Sequence, residues 1–303
     1  MLQCTSFMAT PQLILEPEFL KKLEALSLVS RRAYAGLTKG ERRSVKRGAS
    51  IEFADYREYS SGDDLRYVDW KAYGRLDKLF LKLFIEEEDL NLHLLIDTSK
   101  SMSFGSPLTK ADYARRTAAA LGYIALCEYD RVSVAPFSAG LREPMSPLRG
   151  KPGIVPFFRF LETKMPSEGE TRFGDALTQY AARTTTGGIA VVISDFFDDT
   201  YQRGLKALMA RNLQIVLLHV LDEDEIKPPL TGDLRLVDSE TGEQGEVSIS
   251  AHLLGRYEER LQKFYAELKS VSSRYGMDYV RTSTAVPFED VILQFLRRGG
   301  LLR

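Results

Sequence analysis

From residue 90 onward, short apolar runs alternate with segments whose Ala, Leu and Phe recur at helical spacing. The runs are Leu90 to Ile96, Val132 to Phe137, Ile189 to Ser194 and Leu213 to Leu221. Runs this short, apolar throughout and bounded by turn residues, predict parallel strands buried on both faces. The intervening segments Lys110 to Glu128, Ile154 to Thr163, Phe173 to Thr184 and Tyr201 to Ala210 predict helices. Such alternation specifies an α/β fold: a doubly wound, mostly parallel sheet with helices on both faces. Gly140 to Met145 suits an antiparallel edge strand. A helix over Ala251 to Tyr275, a strand over Met277 to Arg281 and a helix over Phe288 to Arg298, ended by Gly299 and Gly300, complete the domain.

Residues 222 to 250 break this rhythm with nine acidic residues and the Pro228-Pro229 pair. Two strand-like pieces, Leu234 to Asp238 and Glu246 to Ile249, predict an inserted acidic hairpin. Before residue 90 the pattern differs. Pro17 opens an amphipathic helix carrying Phe19, Leu20, Leu23 and Leu26, and residues 31 to 47 form a basic loop with seven Lys and Arg against Glu41 alone. Ile51 to Tyr59 alternates as a strand does, and Ser60 to Asp64 reads as a turn. The expected division is an extension over residues 1–89, packed on a main domain at 90–303, and the density of aromatics around Trp70 favours that packing. No internal repeat is visible.

Composition narrows the function classes. In 303 residues, 41 Lys and Arg nearly balance 42 Asp and Glu, which gives no global attraction for nucleic acid or an anionic membrane. The basic loop reads as a solvated face, and Tyr34 and Tyr56 are too few for a base-stacking platform. Cys4 and Cys127 make no disulfide framework, which points to a reducing compartment. The first eleven residues do not read as a secretory signal, and no apolar stretch approaches the ~18 to 20 residues of a membrane span. A soluble, cytoplasmic protein is expected.

Candidate chemistry gathers where strands end. The first strand of the domain delivers the chain to Asp97-Thr98-Ser99-Lys100-Ser101, one carboxylate and two hydroxyls spaced by two. Ligands of open α/β sheets lie outside the carboxyl ends of the strands, where strand order reverses. Thr171 opens a helix and Asp195 ends another strand, so both fall at the same rim. Together these are hard oxygen donors of low total charge, suited to Mg²⁺, Mn²⁺ or Ca²⁺. Bland readings exist for each: Ser99 and Ser101 as helix caps, Thr171 as an N-cap, Asp195 as a turn residue. Their joint placement is harder to explain that way. Asp63, Asp64 and Asp69, interleaved with Arg57, Arg66 and Arg75, read as an ion-pair network rather than a metal cluster.

With these residues the chain resembles a von Willebrand factor A domain carrying a metal-ion-dependent adhesion site. Asp97, Ser99 and Ser101 match its Asp-x-Ser-x-Ser element, Gly169, Thr171 and Phe173 its threonine loop, and Asp195 its strand-terminal aspartate. The resemblance implies a sheet in the order 3-2-1-4-5-6. It implies serines touching the cation directly, the threonine directly or through water, and the aspartates through water. Phe196 departs from it, because many relatives have Gly after the aspartate. Upstream, the run from Gly48 to Trp70, with Leu79 to Lys82 and Glu86-Glu87-Glu88, is similar to the bacterial domain-of-unknown-function fifty-eight family. Members commonly occur beside MoxR-type AAA+ ATPases, which implies an adaptor or chaperone-like partnership. Many have membrane helices ahead of this segment, which this chain lacks.

The reading that results is a divalent-cation-dependent protein-binding module and not an enzyme. Its metal residues are Asp97, Ser99, Ser101, Thr171 and Asp195, its cofactor Mg²⁺ with Mn²⁺ or Ca²⁺ as alternatives. Its partner is a MoxR-type ATPase or a client protein supplying a carboxylate. His93 and His219 lie inside apolar strands and His252 at a helix start, so no general base is apparent. Zinc-ligand spacing, a phosphate-binding glycine loop and a nucleophile elbow are also missing. The alternative is a metal-dependent phosphohydrolase or nuclease using Asp97, Asp195 and the Asp63-Asp64 pair; a third reading is an RNA binder using the basic loop. Asp222 to Glu225 follows a strand at the same rim, where it either tunes the cation site or forms a solvated loop.

Overall fold

The computed structural model describes residues 18, 21–25, 52–60, 63–85, 90–166, 169, 171–237 and 244–297. The basic loop at 31–47 and the Gly299-Gly300 stop lie outside them. By contacts the chain divides into two compact units, residues 35–89 and residues 1–34 with 90–302.

In the smaller unit, β1 (Glu52–Glu58) pairs antiparallel with β2 (Phe80–Ile85). Between them lies α1 (Trp70–Leu76), capped by Asp69, whose carboxylate accepts from the amides of Lys71 and Ala72. The ion-pair reading of this segment is borne out at Asp63 and Asp64. Arg57 bonds both oxygens of Asp63 at 2.8 and 2.7 Å, and Arg66 reaches Asp64 at 2.7 Å. Besides capping α1, Asp69 accepts from the Tyr56 hydroxyl at 2.7 Å. The Asp63-Asp64 pair is thus engaged by arginines of its own unit.

In the larger unit, β3 (Asn91–Asp97), β4 (Arg131–Phe137), β6 (Gly188–Ser194), β7 (Leu213–Leu221) and β10 (Asp278–Ser283) run parallel. With the edge strand β5 (Met145–Arg149), the order across the sheet is β10-β7-β6-β3-β4-β5, which in chain order of these strands is 3-2-1-4-5-6. Strand β5 is antiparallel to β4, as expected of an edge, but begins where the expected strand at Gly140 to Met145 ends. Leu141 makes only an isolated bridge to Phe137. Pro147 falls inside β5, where an edge strand with one paired side can hold it.

Burial on both faces explains the unbroken apolar runs. Leu92, Leu94 and Ile96 enter one core cluster with Val132, Val134, Val191 and Val216, while Leu95 enters a second with Ala135, Val192 and Leu217. Period-two alternation thus feeds two cores, so both faces of the strand favour apolar residues. The first core is covered by α2 (Lys110–Cys127), α3 (Ile154–Thr163) and α8 (Phe288–Arg297); the second by α4 (Phe173–Arg183), α5 (Tyr201–Met209) and α7 (Ala251–Arg274). The run Ala118-Ala119-Ala120 and Gly122 let α2 approach closely: a Cβ on Gly122 would overlap the Phe157 ring of α3. Leu23, in the helical stretch at 21–25, is fully buried in the first core, and Lys22 pairs with Glu289 of α8 at 2.7 Å. After β7 come the one-turn helix α6 (Glu223–Ile226) and the antiparallel hairpin of β8 (Gly232–Val237) and β9 (Gln244–Ile249), where the hairpin was expected. No helix among the described residues is long and apolar enough to cross a membrane.

Candidate functional site

Strand order reverses at β3, whose neighbours are β4 on one side and β6 on the other. In open α/β sheets the ends of the strands at such a reversal are where ligands bind. The Asp97 turn is fixed there by backbone bonds. The Thr98 amide and hydroxyl both donate to the Phe137 carbonyl, at 2.7 and 2.9 Å, and the Ser99 amide donates to Asp97 Oδ1 at 2.9 Å. A 3₁₀ turn over Lys100–Ser103 follows, anchored by buried Met102.

Four of the five expected residues form one chain of contacts. Ser99 Oγ and Ser101 Oγ lie 3.0 Å apart, and Ser101 Oγ donates to Asp195 Oδ2 at 2.9 Å. Asp97 Oδ2 accepts from Ser194 Oγ at 2.6 Å, so the ends of β3 and β6 are tied directly. Thr171 is placed by its loop: the Lys100 amide donates to the Gly169 carbonyl at 3.1 Å and the Arg172 amide to the Ser138 carbonyl at 2.9 Å. Gly169 adopts φ +83°, a region that favours glycine. The first bond draws the Thr171 loop onto the turn after Asp97, and the second onto the end of β4.

The bland readings fare unevenly. Ser99 occupies a cap position without a side-chain capping bond, and the N-cap of α4 is Arg172, not Thr171. Asp195 does act in part as a turn residue, accepting from the Phe197 amide at 3.3 Å through Oδ1. The N-terminus of α4 is held instead by Asp198 and Thr200, which accept from the Phe173 and Gly174 amides.

Two contributors were not singled out from the sequence. Ser194 is one. Lys110 is the second: although first in α2, it is fully buried, with Nζ 2.7 Å from Asp195 Oδ2 and 2.6 Å from Glu225 Oε1. Glu225 belongs to the Asp222 to Glu225 run, and the solvated-loop reading of that run is corrected for Asp222 and Glu225, while Glu223 and Asp224 are exposed. Asp222 and Glu225 form a capping box, Asp222 Oδ2 accepts from Thr284 Oγ1 at 2.6 Å, and Glu223 accepts from Ser283 Oγ at 2.7 Å. No composition signal marks Lys110, because a lysine at a helix start ordinarily faces water.

Electrostatics follow from this crowding. Burial, with the charge of Asp195 close by, pushes the Asp97 carboxyl up to about 7. Burial acts on Asp195 in the same direction, but the Lys110 ammonium outweighs it and holds Asp195 below the usual carboxylate range. Burial would lower Lys110, yet Asp195 and Glu225 keep it above its ordinary value. Phe196, fully buried, packs on Phe173 and His219 and takes φ +58°, a left-handed conformation that ordinarily favours glycine.

Of the three histidines, His93 and His219 are core residues. His93 Nδ1 lies 2.7 Å from the Tyr180 hydroxyl and His219 Nδ1 2.8 Å from that of Tyr279, while both Nε2 atoms are buried without a partner. Desolvation lowers His93 and pushes His219 down to about 3, so both stay neutral. Among the described residues no group of three or more His, Cys, Asp or Glu could hold a metal ion. The clustered donors here are mostly hydroxyls.

Fold and rim together define an α/β protein with an open, largely parallel sheet and a cluster of oxygen donors at its switch point. Residues 55–266 match the family described as "Protein of unknown function DUF58", and the chain belongs to that family. An uncharacterized protein of Mycobacterium tuberculosis is 27% identical over 293 residues, covering 94% of this chain and 92% of that protein. A second uncharacterized protein, of Mycobacterium avium, is 31% identical over 118 residues, 38% of this chain and 69% of that one. Among solved structures, the conserved hypothetical protein BatB of Bacteroides thetaiotaomicron aligns with TM-score 0.39 at 14% identity, covering 69% of this chain and 98% of that one. An aerotolerance-related membrane protein of Bacteroides fragilis aligns with TM-score 0.40 at 14% identity, over 69% and 99%.

Proposed function

We propose that the oxygen cluster is a divalent-cation site of the metal-ion-dependent adhesion type, on a von Willebrand factor A-like fold, and that through it the protein binds a carboxylate of another protein. The observation that carries this reading is the unbroken series Asp97, Ser99, Ser101, Asp195, closed by Ser194. Its donor chemistry fits Mg²⁺, with Mn²⁺ or Ca²⁺ as substitutes: hydroxyls and carboxylates only, and two buried carboxylates crowded enough to raise Asp97. Ser99, Ser101, Thr171, Asp97 and Asp195 would hold the ion, which when bound supplies positive charge and an exchangeable position for an outside carboxylate.

The protein's own residues account for the rest. Ser194 and the Ser99 amide hold the Asp97 carboxylate fixed from two sides, and Ser101 orients Asp195. Neutral, buried His93 and His219 offer no accessible base, which is consistent with a non-enzymatic role. From the family resemblance the partner is a MoxR-type AAA+ ATPase or its client, with this chain as a cytoplasmic adaptor. The test is capture of a purified MoxR-type ATPase with Mg²⁺ and with chelator, wild type against Ser99→Ala. Capture that needs both Mg²⁺ and Ser99 supports the reading; capture indifferent to both contradicts it.

A further inference from the structure

We propose that Lys110 is a tethered counter-cation that shares Asp195 with the divalent ion and holds the site's resting affinity for that ion low, with Glu225 setting how strongly it does so. The inference rests on the cation-site reading above. Lys110 has no exposed surface, and its Nζ is shared between carboxylates that reach it from two different segments, Asp195 after β6 and Glu225 in α6. It also lies 5.7 Å over the Phe197 ring. A lysine is buried in this way only when its charge is matched on the spot.

Asp195 Oδ2 already accepts from both Lys110 and Ser101, and Oδ1 from the Phe197 amide. A divalent ion drawing on Asp195 therefore competes with an ammonium covalently fixed beside it. Glu225 pairs with the same ammonium at 2.6 Å and offsets part of its charge. An arriving carboxylate restores the negative charge that Lys110 neutralises. Cation and acidic partner consequently reinforce each other's binding, and the ion alone is held weakly.

Removing the positive charge should tighten the ion and removing the negative charge should loosen it, a pair of opposite effects that damage to the fold does not produce. Titration of the full chain with MnCl₂ tests this on wild type, Lys110→Met, Glu225→Gln and the double variant. Lys110→Met is expected to bind Mn²⁺ about tenfold tighter and Glu225→Gln severalfold weaker, with the double variant returning toward wild type. Gln keeps the capping box with Asp222, so Glu225→Gln retains the fold if Lys110→Met does not, and its direction alone then decides. Wild-type binding with unchanged or weaker affinity in folded Lys110→Met, or unchanged affinity in Glu225→Gln, overturns the counter-cation role and leaves the site intact. Absence of Mn²⁺ binding from wild type and every variant overturns the cation site itself, and this inference with it.

Discussion

The Ser101 hydroxyl donates to Asp195 Oδ2 at 2.9 Å across 94 residues of sequence, joining the turn after β3 to the end of β6. Because the acceptor is an ionised carboxylate, removing this hydroxyl costs about 1.5–3 kcal/mol of stability. Ser101 would also be a ligand of a bound ion. Ser101→Ala is expected to stay folded and lose about 1.5–3 kcal/mol in urea, while its Mg²⁺ affinity falls at least about tenfold. Equal Mg²⁺ affinity in the two proteins would remove Ser101 from the site.

Phe196 pairs a backbone cost with a packing gain. Its left-handed φ costs roughly 1–2 kcal/mol, and its buried ring returns more than that, since deleting a core Phe costs about 3–5 kcal/mol. Phe196→Gly removes the backbone cost but loses the packing gain, for a net loss of about 1–4 kcal/mol. Phe196→Ala loses the ring and retains the strain. The glycine variant should therefore be the more stable of the two by about 1 kcal/mol, as read by chemical denaturation.

Gly122 offers the opposite test of packing against propensity. In an exposed helix, Gly→Ala gains about 1 kcal/mol. Here the added methyl meets the buried Phe157 ring, and overpacking costs about 1–3 kcal/mol. Gly122→Ala is expected to lower the melting temperature, and to raise it when made in a Phe157→Leu background, where the ring is gone. A gain in both backgrounds would show that α2 and α3 are not in this close contact.

His219 sets a pH dependence. Its folded-state pKa lies near 3, below the ordinary 6.5, because burial among aromatic rings disfavours the charged form. The native state therefore binds fewer protons than the unfolded chain. Stability from this group is complete above pH 6.5 and is lost as pH falls toward 3, about 2 kcal/mol by pH 5. His219→Gln, which keeps a polar partner for Tyr279, should lose less stability than wild type between pH 7.5 and pH 5, by about that amount. Parallel pH profiles would contradict it.

The sheet was legible because both its faces are buried: strands such as β3 and β7 carry apolar residues at nearly every position, and helices with one dry face supply the contrast. The edge strand was misplaced because Pro147 weakens a strand pattern that only one neighbour has to support. The hairpin partner β2 was missed because its apolar run is short and abuts Glu86-Glu87-Glu88. In the site, Asp97, Ser99 and Ser101 stood out through spacing, and Thr171 and Asp195 through their places at element ends. Lys110 carried no such mark. Its burial depends on Asp195 and Glu225, which lie 85 and 115 residues away, and only tertiary structure brings those charges together.

The central claim is that these oxygens together bind one hard divalent cation. The most direct measurement is a calorimetric titration of Mn²⁺ into the full chain, wild type against the Ser99→Ala/Ser101→Ala double variant. The account predicts one saturable site in wild type and at least about a hundredfold weaker binding in the variant, because two ligands are lost at once. Saturable binding of equal strength in both, or no saturable site in wild type, would contradict it.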